Sequence, residues 1–64
     1  MSTQLTTSYQ KLLNINEASS YLNLKVSKLR MMIFKREIPM VKIGRLVRFN
    51  RLELDQWIEQ LRRN

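Results

Sequence analysis

Asparagine followed three residues later by glutamate occurs twice in this chain, as Asn14 with Glu17 and as Asn50 with Glu53, each time ahead of apolar residues at helical spacing. At that spacing the asparagine side chain accepts from an amide in the first helical turn, and the carboxylate reaches back to the amide of the cap itself. Two helix starts are thereby predicted. After Asn14, Ala18, Tyr21 and Leu22 fall at i, i+3 and i+4 and form the expected buried stripe, with Ile15 packing at its start. After Asn50, Leu54, Trp57, Ile58 and Leu61 continue the pattern to i+7, and Arg62 and Arg63 suit the negative end of the helix dipole.

The residues between these helices divide in two. Asn23 tolerates the left-handed conformation that ends helices, so the chain turns there. A second helix then fits residues 25–36, with Leu29, Met32 and Ile33 inward and Lys25, Ser27, Lys28, Arg30, Met31 and Lys35 on the other side. Helix, short turn, helix is the spacing of a helix-turn-helix, although small helical bundles share it. Pro39 closes the segment and pushes Ile38 toward an extended backbone, so a strand should follow.

In "VKIGRLVRF", from Val41 to Phe49, apolar residues alternate on both sides of the single glycine. Side chains of a strand alternate faces, so placing Val41 opposite Phe49 and Ile43 opposite Val47 puts all four on one face. This register predicts a three-residue loop, Gly44 to Leu46, or a bulge. It also sets Lys42 across from Arg48 with Arg45 at the tip. Opposed like charges destabilise a sheet, which points to a hairpin that lies on phosphates.

Twelve Lys and Arg against five acidic residues give a formal charge of +7 in 64 residues. That balance favours polyanionic partners, nucleic acid first. A membrane is not expected, because the apolar runs fall far short of the roughly 20 residues a spanning helix needs. The opening segment lacks the charge and apolar core of a secretory signal, and the expected location is the cytoplasm. Residues 1–11, rich in Ser, Thr and Gln, read as a flexible arm before a domain at 12–64.

With no Cys or His, neither a disulfide nor the usual zinc ligands are available, and no cofactor is expected. Ser27 has no evident general base, and Glu17 and Glu53 already have capping roles. An enzyme acting on a small-molecule substrate is therefore not expected.

From Leu12 to about Glu59 the sequence resembles the short winged helix-turn-helix domains of the excisionase and MerR-type group. The motifs are "LLNINEASSYL" for the first helix, "IPMVKIGRLVRF" for the wing and "LELDQWI" for the closing helix. The resemblance implies a mainly α fold of three helices plus a two-stranded wing. It also implies double-stranded DNA binding, with the second helix in a major groove and the wing on the backbone or an adjacent minor groove. Carried over by position, Lys25, Ser27, Lys28, Arg30 and Met31 hold the recognition face, and Lys42, Arg45 and Arg48 the wing.

The chain departs from the family pattern in several places. Lys25 stands where a small polar cap is usual, and Arg36 where glycine is frequent; Met31, Phe34 and Leu46 occupy positions that are often charged.

Two functions follow as expectations. One is an excisionase-like architectural factor or small transcriptional regulator of a mobile element. The other is an accessory subunit that meets an integrase, recombinase or replication enzyme through Met31, Phe34 or Leu46, and assists its handling of DNA, single-stranded DNA included.

Overall fold

The computed structural model describes residues 12–63, so the expected N-terminal arm lies outside the described residues. The element order is β1 (Leu12–Leu13), α1 (Ile15–Leu22), α2 (Val26–Phe34), β2 (Val41–Ile43), β3 (Leu46–Asn50) and α3 (Arg51–Arg62). This is the expected mainly helical architecture with a β-hairpin wing. One element was not expected: Leu12 and Leu13 pair antiparallel with Asn50 and Phe49, which makes a three-stranded sheet of order β1-β3-β2.

Both predicted helix starts form. The Asn14 side chain accepts from the Glu17 amide and the Glu17 carboxylate accepts from the Asn14 amide, each at 2.8 Å, which completes the capping box of α1. Asn50 accepts from the amides of Leu52 and Glu53 at the start of α3. No return bond from Glu53 accompanies it among the described residues; the Asn50 backbone also ends β3, in register with Leu12.

Both helix–loop junctions pass through the left-handed region. Asn23 has φ 57°, and the Leu24 amide bonds back to the Ser19 carbonyl at 3.0 Å. The Ser19 hydroxyl donates to the Leu24 carbonyl, which ties the turn between α1 and α2 from the side-chain direction. At the end of α2, Arg36 has φ 58°; its amide bonds to Ile33 and the Glu37 amide to Met32, at 3.0 and 2.8 Å. These two bonds define a Schellman motif with arginine at the position where glycine is commonest.

Each helix and the central strand contribute one completely buried side chain: Ala18 from α1, Leu29 from α2, Phe49 from β3 and Leu54 from α3. Leu13 and Ile38 complete the core, with Leu22, Met32, Ile33, Val47 and Trp57 packed around it. Two expected core residues lie elsewhere. Tyr21 is exposed, because its hydroxyl donates to Asp55 of α3 and Arg51 stands over its ring, 6.0 Å from the centroid. Burial along α3 falls off from Leu54 through the half-buried Trp57 and Ile58 to an exposed Leu61.

The hairpin register corrects the alternation argument. Val41 pairs with Arg48, Lys42 with Val47 and Ile43 with Leu46, which leaves a two-residue turn of Gly44 and Arg45. Gly44 has φ +62° and Arg45 does not share the positive φ, as in a type II′ turn with glycine first. That turn matches the twist of the strands, and its geometry overrides the hydrophobic pattern. Lys42 therefore does not oppose Arg48, and the inferred like-charge repulsion is absent. Val47 and Phe49 face the core, while Val41, Ile43 and Leu46 stand on the other face with Arg48.

Two predictions follow from these geometries. A Cβ at Gly44 meets nothing within 4 Å, so Gly44→Ala carries only the backbone cost of an L-residue held at positive φ. Chemical denaturation should show a loss of about 1–2 kcal/mol. The hydrogen bond to Asp55, then desolvation and the Asp55 charge, raise the Tyr21 pKa above its ordinary 10.0. Because the folded value exceeds the unfolded one, the associated stabilisation is present below pH 10.0 and is lost as pH rises through the folded value. Titration of the Tyr21 ring by NMR should show the raised pKa, and Asp55→Asn should lower it.

Candidate nucleic-acid interface

Eight of the twelve basic residues fall between Lys25 and Arg48, with Glu37 the only acid among them. Their placement follows from the fold: α2 buries Leu29, half-buries Met32 and Ile33, and turns Lys25, Ser27, Lys28, Arg30, Met31 and Lys35 outward. Lys42 is exposed on β2, Arg45 is exposed at the turn, and Arg48 is half-buried on β3. The only ion pair among the described residues joins Arg62 to Glu59 within α3. None of the cations of α2 or the hairpin is neutralised by an ion pair there.

An open cleft runs between α2 and the hairpin. Arg30, Ile33 and Phe34 line it from the helix, Arg45, Leu46, Val47 and Arg48 from the turn and β3, and Asn14, Ile15 and Asn16 from the start of α1. It thus brings together three of the sequence-predicted DNA contacts, Arg30, Arg45 and Arg48. The Arg48 guanidinium is steadied by donating to the Val47 carbonyl at 2.8 Å. Lys25, Ser27, Lys28 and Met31 lie along α2 outside the cleft lining, and Lys42 stands on the opposite sheet face from Arg48. The hairpin cations therefore do not form the single row that the expected register implied.

Met31, Phe34 and Leu46 are 52%, 85% and 54% exposed, so none of them fills the core. Ile43 joins them at 50%, paired across the hairpin with Leu46. Sequence reasoning missed Ile43 because the alternation assigned it to the core face.

The helix ends add an electrostatic distinction. α1 and α3 each begin with an asparagine cap and carry a glutamate in the first turn, whereas α2 begins at Lys25 with no side-chain cap and no acid in its first turn. The positive end of the α2 dipole is thus left uncompensated by its own side chains, with Lys25 and Lys28 beside it. That arrangement suits a phosphate group. Lys25 in place of a polar cap was the visible signal.

Among the described residues no helix is long and apolar enough to cross a membrane. A family model described as "Helix-turn-helix domain" matches residues 12–62. No curated protein and no solved structure matches the chain.

Proposed function

The chain belongs to the helix-turn-helix domain family, a DNA-binding class of fold, and we propose that it binds duplex DNA with α2 in the major groove and the hairpin on the adjoining backbone or minor groove. The observation that carries this reading is the cleft. Arg30 on one wall and Arg45 and Arg48 on the other bring three guanidinium groups to one open cleft beside α2, the kind of group that positions a protein on phosphates. The uncapped α2 N-terminus, with Lys25 and Lys28, supplies a second phosphate contact.

The biological role is that of an excisionase-like architectural factor or small transcriptional regulator of a mobile element, a non-catalytic role in the cytoplasm. This finer assignment rests on the resemblance in the wing and closing-helix motifs. A module of this size has a small footprint, so tight selective binding calls for several copies or a partner. The exposed cross-strand pair Ile43 and Leu46 favours a second reading. In it, the outer face of the hairpin docks on a larger replication or recombination protein, and the basic residues guide DNA, single-stranded DNA included, toward that protein.

Gel-shift titrations of the purified protein with duplex and single-stranded DNA separate the two readings. Preferential duplex binding by the protein alone supports the first, and binding only in the presence of a partner protein supports the second. Arg45→Ala should weaken duplex binding similarly across sequences and reduce the slope of log affinity against log salt by about 1. Unchanged affinity and slope would remove the hairpin tip from the interface.

A further inference from the structure

We infer that the outward line of α2 reads the 5-methyl groups of thymine, so that the duplexes this domain selects carry thymines facing Met31 and Phe34. The inference rests on the duplex-DNA reading and adds what the helix recognises. At 3.6 residues per turn, successive residues of an α-helix are turned by about 100°. Measured from Ser27, Met31 lies about 40° to one side and Phe34 about 20° to the other, so the three form one line along α2. Leu29, completely buried, points almost directly away from that line. Arg30 stands about 60° around on the Phe34 side, and Lys35 and Lys28 stand about 80° and 100° around on the Met31 side.

The outward face of α2 is thus a mostly apolar ridge between two cationic shoulders. A helix lying in a major groove presents its middle line to base edges and its shoulders to the phosphates on either side. The shoulders here have the charge for phosphate. The ridge carries no arginine, lysine, asparagine or glutamine, the side chains that pair bidentately with guanine or adenine edges. The apolar feature of the major-groove edge is the thymine methyl, and Phe34 and Met31 have the exposure to cover it. Ser27, at the N-terminal end of the line, is left for a hydrogen bond to a base or phosphate.

The test removes only the methyl. Duplexes selected by the full chain from a random pool are resynthesised with deoxyuridine in place of thymidine, and affinity and salt slope are measured for the wild type, Phe34→Ala and Met31→Ala. The wild type should lose roughly four-fold in affinity for each thymine methyl it buries, with its salt slope unchanged. Both variants, altered at exposed positions, should discriminate less between the two duplexes. Equal wild-type affinity for the two duplexes overturns the inference and leaves the duplex reading standing, as does a variant loss that is the same on both. No duplex binding at all overturns both, and leaves the ridge as a surface for a protein.

Discussion

Phe49 is the residue on which the arrangement depends. It is completely buried on the central strand, in one cluster with a completely buried residue from each helix. Burying a side chain of this size contributes about 1.5–3 kcal/mol, a large fraction of what a domain of this length has in total. The same strand pairs with β1 on one side and β2 on the other and ends at Asn50, which caps α3. Arg48 is the immediate neighbour of Phe49 and Arg45 lies one residue beyond the start of the strand. The core thus fixes where the hairpin arginines stand relative to α2, although the hairpin tip itself has little packing.

The helices were legible because their signals are local. Asn14 with Glu17, Asn50 before α3 and Asn23 between the first two helices act through bonds within a few residues; Asn14 with Glu17 and Asn23 adopt the expected geometry, and Asn50 caps α3 without the return bond from Glu53. The stripe Leu29, Met32 and Ile33 was likewise readable from period alone. The hairpin register was not, because alternation and turn chemistry pointed to different pairings and the Gly-Arg turn prevailed. Strand β1 left no trace to read: two leucines pair with residues more than thirty positions away. Tyr21 sat at a core spacing, yet a hydroxyl that finds Asp55 at the surface has no reason to be buried.

The candidate interface was legible in residue type and less so in arrangement. Lys25, Lys28, Arg30, Arg45 and Arg48 were identifiable from charge and resemblance. That Arg30, Arg45 and Arg48 border one cleft while Lys42 stands apart depends on the register, which is a tertiary outcome. The contrast in helix caps was half visible in the sequence. α1 and α3 compensate their positive ends with Glu17 and Glu53, whereas α2 does not and adds two lysines. Stability favours the first arrangement and anion binding the second, so the cost in charge is concentrated on the helix proposed to meet DNA.

In the proposed function, α2 and the hairpin tip form one DNA-binding face while α3 and the Tyr21–Asp55 contact support it from elsewhere. Amide chemical shifts followed by NMR during titration with duplex DNA distinguish this face from the rest of the surface. The largest changes are expected at Ser27, Arg30, Met31, Phe34, Arg45 and Arg48, with Tyr21 and the residues from Asp55 to Arg62 little affected. Changes centred on α3, with α2 and the hairpin silent, would place the DNA on a different face of the domain.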